Sequence, residues 1–366
     1  MGDSSKFSES QRVWGLDALR FIAALWVVFG HTGSFPLTEG IDRTNLIGFL
    51  INGAYGNLFA AVPAVIVFFV ISGFCIHYPF RSPNTFELRP FLVRRYVRIA
   101  IPLVVAVGLA RPYQVNLALF QNSILWSLAA ELIYYSLYPI LRHLKERFGW
   151  MPIIIGSYVL AFCATLTHPS ALDYSPFGIG LNWLIVFPCW LLGCLLAEVN
   201  FAAIDLKATP LQLWRWRLVV WALSSLCSVL RFHSPIGYPW TLNFFAIAVF
   251  FWLKTEISYS RGHKKVGLLE WAGTWSYSLY LMHMVADVAY ARLSPLNLGF
   301  NLNWLQKLLF ILFFSYTFYF LVEKPGHLIA RNLSNRVKGK IRRADTLSPE
   351  AIAPTGVVSS VPNSRQ

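Results

Sequence analysis

Residues 17–31 read DALRFIAALWVVFGH. Twelve of these fifteen side chains suit a membrane helix, and Asp17, Arg20 and His31 do not. Arg20 and His31 are eleven positions apart. At about 100° per residue this is roughly three turns plus 20°, so both point the same way, about 16 Å apart along the axis. A permanent cation and a titratable imidazole therefore share one face of an otherwise apolar helix. Insertion scales put a central arginine at about 2.5–3.5 kcal/mol unfavourable, which a simple anchor has no reason to bear. Two readings stay open from these residues alone. In one, Arg20 pairs with Asp17 one turn below and reaches the headgroups, and His31 is a hydrogen-bonded core residue. In the other, both are functional.

The rest of the chain continues the membrane pattern. Its 366 residues are 56% hydrophobic and 13% charged, with mean hydropathy +0.52; soluble domains carry about 25% charged residues. Ten apolar runs have roughly the length of a spanning helix. They lie near Gly15–Gly33, Phe59–Tyr78, Phe91–Ala110, Leu117–Leu141, Met151–Thr167, Leu181–Val199, Leu218–Phe232, Trp240–Leu253, Ala272–Ala291 and Trp304–Val322. The run Leu46–Ile51 is too short to span and fits a surface position. The expected fold class is all-α, a polytopic membrane helix bundle of about ten transmembrane helices.

Charge sets the orientation. Of 31 Lys and Arg, 25 fall in the N-tail, the even-numbered loops and the C-tail. Five fall on the other side (Arg43, Arg111, Arg231, Arg292 and Lys307), and Arg20 lies inside the first run. By the positive-inside rule both termini are cytoplasmic and the protein sits in the cell membrane. The net charge of +14 is thus topological, and no nucleic-acid partner is expected. The expected organisation is a cytoplasmic N-tail over 1–14, a membrane domain over 15–331, and a basic then Ser/Pro-rich disordered tail over 332–366. The first run has no small-residue cleavage site and reads as a retained helix. Five cysteines without a CxxC pair indicate neither a disulfide framework nor a metal site. No internal repeat is visible.

Four further motifs carry polar groups into or beside the apolar runs. FFVISGF places Ser72 and Gly73 in the second run, where small residues permit close helix packing. RRYVR places Arg94, Arg95 and Arg98 at the start of the third, and guanidinium forks suit phosphate oxygens. WSLAAELIYYSLYP places Glu131 mid-run with Tyr134 and Tyr135 nearby. A carboxylate there must be neutral or paired, and Arg20 and His31 are its natural partners. WSYSLYLMHMVAD places His283 and Asp287 four apart on one face. Asp287 then either orients His283 or sits at the outer headgroups.

These motifs together resemble the acyltransferase 3 family of ten-span membrane acyltransferases, over roughly Gly15–Arg331. The family's basic residue, ten residues, then histidine is matched by Arg20 and His31. Its FF-x-x-SGF segment is matched by FFVISGF, and its RxxR by Arg95 and Arg98. Its WSL…E…YP segment is matched by Trp126, Ser127, Glu131, Tyr135 and Pro139. Its SYSLYL-x-H is matched by Ser276, Tyr277, Tyr280 and His283, and its terminal E-x-P by Glu323 and Pro325. The chain departs from the family in a short segment around Arg111–Asn116, in Leu132 after Glu131, and in Met284 after His283.

The resemblance implies acyl transfer, most often of acetyl, from cytoplasmic acyl-CoA to a hydroxyl of an exported or lipid-linked carbohydrate, without a metal. Arg20, Arg94, Arg95, Arg98 and Ser72 are then expected to hold the donor. His31 and Glu131 are the expected catalytic pair, His31 as general base or as acyl carrier, with Glu131 setting its tautomer or positioning the acceptor. Tyr135, Tyr277, His283 and Asp287 are expected at the acceptor. Two other classes fit fewer features: a proton-coupled transporter or flippase relaying through Arg20, Glu131 and His31, and a catalytically inactive binding subunit.

The charge bias predicts that Gly178 and Ser294 are external and that Lys207 and Lys264 are cytoplasmic. Single cysteines at these positions, in a background lacking the five native ones, are to be probed with an impermeant maleimide on intact cells. Labelling is expected at 178 and 294 only; labelling at 207 or 264 before permeabilisation reverses the orientation.

Overall fold

The computed structural model describes residues 13–81, 86–117, 123–199, 208–261, 267–293 and 296–347. Secondary structure among them is helical. In chain order the helices are α1 (Leu16–Thr32), α2 (Leu46–Gly56), α3 (Ala61–His77), α4 (Leu88–Ala110), α5 (Trp126–Phe148), α6 (Trp150–Thr165) and α7 (Gly178–Glu198). They continue with α8 (Pro210–His233), α9 (Tyr238–Ser260), α10 (Leu268–Gly273), α11 (Ser276–Arg292), α12 (Phe300–Phe318) and α13 (Lys324–Leu347). A π-helical turn, Tyr319–Glu323, joins the last two.

Each of the ten apolar runs overlaps a helix, though the ninth, Ala272–Ala291, takes in the end of α10 and the break at Thr274–Trp275 before α11. By length and composition, five stretches among the described residues can cross a membrane: Leu46–Phe80, Ser175–Glu198, Pro210–His233, Tyr238–Ser260 and Phe300–Gly339. The chain is thus an all-helical membrane protein. Others fall short of that criterion: α1 and α11 through length, with 17 residues each, and α4 and α5, with 23 each, through their polar and charged residues. The helix in the fourth run starts only at Trp126, and part of the residues before it, 118–122, lie outside the described set. So do Lys207, Lys264 and Ser294, and the tails 1–12 and 348–366.

One expectation changes at the C-terminal end. Residues 332–347 were expected to be disordered from composition, but α13 continues through them to Leu347. The reason is a stripe of inward positions. Glu323, Ala330 and Ser334 are buried, Ser334 Oγ donates to the Pro90 carbonyl (2.9 Å), and Lys338 pairs with Glu87 (3.0 Å). A polar helix with one such stripe is held by tertiary contact, here along α4.

The centre of the bundle is the crossing of α3 and α7. It works through two glycines. A Cβ on Gly73 would lie 2.0 Å from the Trp190 carbonyl oxygen, and one on Gly193 would lie 2.1 Å from that of Val70. The two backbones therefore touch in both directions. Lipid supplies no hydrophobic drive between helices, so close backbone approach is a main source of their cohesion. Around this crossing Trp190, Phe74, Tyr134 and Tyr138 are fully buried.

α1 is delimited by two glycines with positive φ, Gly15 (91°) and Gly33 (95°). At its start the buried Glu270 carboxylate accepts the N–H groups of Gly15 (3.3 Å) and Ala18 (3.1 Å). A carboxylate there satisfies otherwise unpaired donors and meets the positive end of the helix dipole. At its end the Gly33 N–H returns to the Phe29 carbonyl (3.2 Å). α1 packs on α3, α10 and α11.

Replacing Gly73 or Gly193 with alanine is expected to lower stability by about 1–3 kcal/mol, since the new methyl meets backbone that cannot turn aside. Gly108, in α4, has open space around it, and Gly108→Ala is expected to be neutral or stabilising. Unfolding midpoints in detergent check both; equal midpoints for the three variants would remove the glycine crossing as a determinant.

Candidate active site

A polar cavity of about 160 Å³ opens beneath the α3–α7 crossing, between α1, α3, α4, α5 and α11. Ser72 follows from the crossing directly, being the residue before Gly73. Its hydroxyl donates to Glu131 Oε1 (2.5 Å) and accepts from Trp190 Nε1 (3.4 Å). The Tyr135 hydroxyl, one turn beyond Glu131 on α5, donates to the same carboxylate oxygen. The mid-helix carboxylate is thus held by two hydroxyls.

Three guanidinium groups also line the cavity, those of Arg20, Arg95 and Arg98. Arg20 Nη1 donates to Asp17 Oδ1 (3.1 Å), the i, i+3 pairing open from the sequence. Arg98 Nε donates to His327 Nε2 (3.0 Å) on α13. Arg95 differs. Its guanidinium lies over the rings of Phe91 (5.8 Å) and Tyr135 (6.0 Å), and no carboxylate pairs with it among the described residues. It is a cation presented to a cavity, held by aromatic faces that leave its donors available.

The inner wall is built by α11. Tyr280 OH donates to the Ile124 carbonyl (2.6 Å) and contacts Ser127 Oγ (2.7 Å). Tyr277 OH reaches the Ile99 carbonyl (3.4 Å). Glu323, in the π-helical turn, is fully buried. One of its oxygens accepts from Ser278 N–H (3.1 Å) and Oγ (2.5 Å). The other lies 3.3 Å from His327 Nε2. π-helical turns frequently mark functional sites.

The structure thus brings Arg20, Ser72, Arg95, Arg98, Glu131, Tyr135 and Tyr277 to one cavity. It does not bring His31 there. Arg20 and His31 do share one face of α1, but the buried Ala24 and Val27 lie between them. His31 pairs instead with His283, Nδ1 to Nε2 at 3.0 Å, with the two rings nearly parallel at 16°. The expected Glu131 partners, Arg20 and His31, are therefore replaced by Ser72 and Tyr135. The reason is geometric: three turns of helix separate the two ends of α1, and Glu131 lines the cavity at the Arg20 end.

Asp287 also departs from expectation. It forms an ion pair with Lys307 (3.6 Å), and Lys307 further donates to the Thr32 carbonyl at the end of α1. His283 turns its Nδ1 to the Tyr280 carbonyl (2.7 Å). The i, i+4 spacing puts His283 and Asp287 on one face, but each has a nearer partner. Arg94 is exposed and outside the cavity.

Ser127, Tyr280, Glu323 and His327 had no site role in the sequence reading. The first three lie inside the motifs quoted above, so motif membership was their signal; His327 had none. A second cavity, of about 880 Å³, lies along the other face of α1 against α8–α10. It is largely apolar; its polar lining is the Arg217–Glu256 pair (2.7 Å) with Tyr259, Ser260 and Glu270.

The acyltransferase 3 family, described as an acyltransferase domain, matches residues 13–323. The chain belongs to this family. No curated protein and no solved structure matches it.

Proposed function

We propose that this membrane acyltransferase takes an acyl group, acetyl by preference, from cytoplasmic acyl-CoA and passes it to a hydroxyl of an exported or lipid-linked carbohydrate. In this reading the chain crosses the cell membrane about ten times and both termini are cytoplasmic. The single observation that carries it is Arg95, a guanidinium without a carboxylate partner among the described residues, at a polar cavity in an acyltransferase-family domain.

The parts follow from their chemistry. Phosphate oxygens complement a guanidinium fork with two parallel charge-assisted hydrogen bonds. A cavity of about 160 Å³ has the volume of about five waters. It accommodates the arm of the donor beyond its diphosphate, with the thioester carried on along α11 toward His31 and the adenosine outside, toward the exposed Arg94. Arg20 and Arg95 face the acidic parts of the donor, and Ser72, Glu131 and Tyr135 offer hydrogen-bonding groups to its amide arm. Glu131 then acts on the donor side of the reaction. Tyr277 joins the same wall.

His31, exposed at the far end of α1, serves the acceptor. A neutral imidazole is suited to receive the proton of an attacking hydroxyl near neutral pH. The link between the two ends is α11, whose Tyr280 lines the cavity and whose Tyr280 carbonyl binds His283, the partner of His31. Asp287 and Lys307 keep the end of α1 in place.

Two measurements test the reading. Arg95→Ala with Arg98→Ala is expected to weaken CoA binding by roughly 10- to 150-fold per lost charge-assisted contact, about 1.5–3 kcal/mol each. Unchanged affinity in the purified double variant assigns both arginines to topology. His31→Gln keeps a hydrogen-bonding side chain but not the proton chemistry. It is expected to lower transfer of labelled acyl groups in membrane vesicles by about 10²–10⁴-fold. Full turnover at matched protein level removes His31 from the mechanism.

A further inference from the structure

The histidine pair contains more information than a contact. His283 is fully buried, and its Nδ1 lies 2.7 Å from the Tyr280 carbonyl oxygen. A carbonyl can only accept, so this nitrogen carries the proton. In a neutral imidazole the other nitrogen is then an acceptor. His283 Nε2 is that nitrogen, and it lies 3.0 Å from His31 Nδ1. His31 Nδ1 must therefore donate, and the lone pair of His31 sits on Nε2. A doubly protonated His283 would present N–H to His31 and bury a charge with no anion beside it, which is far more costly than the neutral ring.

We propose that His283 is a positioning residue that fixes His31 as the Nδ1–H tautomer, so that His31 Nε2 is the atom that receives the acceptor's proton. This rests on the reading of His31 as the base. The role expected of Glu131 thus falls to a histidine, since Ser72 and Tyr135 hold Glu131. No other hydrogen bond to His31 competes for Nε2 among the described residues.

The proton balance is simple. His31 Nε2 takes the proton of the attacking hydroxyl, and its oxygen bonds to the thioester carbonyl carbon. The carbon–sulfur bond breaks, and the thiolate leaves with the proton from Nε2. His31 Nδ1–H stays on His283 throughout, and the imidazolium formed in between is stabilised by that acceptor. The logic is that of any base oriented by a third group; in serine proteases a base in the wrong tautomer loses about 10⁴ in kcat.

The test reads the tautomer directly. ¹⁵N NMR of ring-labelled histidine in the detergent-solubilised protein, with His31 assigned by its loss in His31→Gln, is expected to show a protonated Nδ1 and a bare Nε2. A protonated Nε2 in neutral His31 overturns the proposal. In His283→Leu the His31 tautomers are expected to mix, and kcat to fall by about 10²-fold with the KM for acyl-CoA unchanged. In His283→Gln an amide oxygen stands where Nε2 stood, and kcat is expected to recover to within about tenfold of wild type. Wild-type kcat in His283→Leu, or no recovery in a folded His283→Gln, also overturns it. If His283→Leu does not fold, the wild-type spectrum and the glutamine variant still decide. Failure of the underlying reading shows separately, as retained turnover in His31→Gln with the tautomer as expected.

Discussion

The reciprocal contact of Gly73 with the Trp190 carbonyl and of Gly193 with the Val70 carbonyl fixes the depth and rotation of α3 against α7. The site inherits that register. Trp190 presents its indole N–H to Ser72, the residue beside Gly73, and Ser72 in turn holds Glu131. A packing device built from the absence of two side chains thereby sets the position of a carboxylate on a third helix. Such coupling is economical in a membrane, where cohesion comes from close packing and every polar group needs a partner.

α1 works as a ruler laid across this frame. Glu270 holds one end, and Gly30 lets the other approach the Phe59 carbonyl, where a Cβ would sit 2.5 Å away. Ten residues then separate Arg20, in the cavity, from His31, against His283. The helical period puts both on one face. The same period keeps them about 16 Å apart, so they do not share one pocket.

This division shows which parts of the site were legible in the sequence. Apolar runs, the shared face of Arg20 and His31, and the small pair Ser72–Gly73 are local properties, and each appears where expected. The partners of Glu131, His283 and Asp287 depend on which helix lies opposite, and a period carries no such information. Glu131 met hydroxyls on α3 and α5, His283 a histidine on α1, and Asp287 a lysine on α12. Composition likewise misread 332–347, because a polar helix becomes stable once Ser334 and Lys338 find Pro90 and Glu87 on and beside α4.

Buried and half-buried carboxylates fall into two groups in this bundle. A charged carboxylate in the bilayer is costly unless paired, so each one needs a local reason. Glu270 caps α1, and Glu256 joins α8 to α9 through Arg217 with a further bond from Trp252 (2.9 Å). Glu198 takes His77 (2.6 Å), Lys145 (2.7 Å) and Trp150 (3.3 Å), which ties α7 to α3, α5 and α6. All three are fasteners between helices, and their acceptor capacity is spent on backbone, cations or indole N–H. Glu131 and Glu323 are different in kind, because both line the polar cavity. Their protein partners are mainly hydroxyls and one backbone N–H, groups that can rearrange around a bound molecule without leaving a bare charge behind. Sequence alone presents all five as acids in or beside apolar helices. What distinguishes a carboxylate open to a bound molecule from one committed to holding the fold is access to the cavity together with partners that can exchange, and on that criterion Glu131 and Glu323 stand apart from the other three.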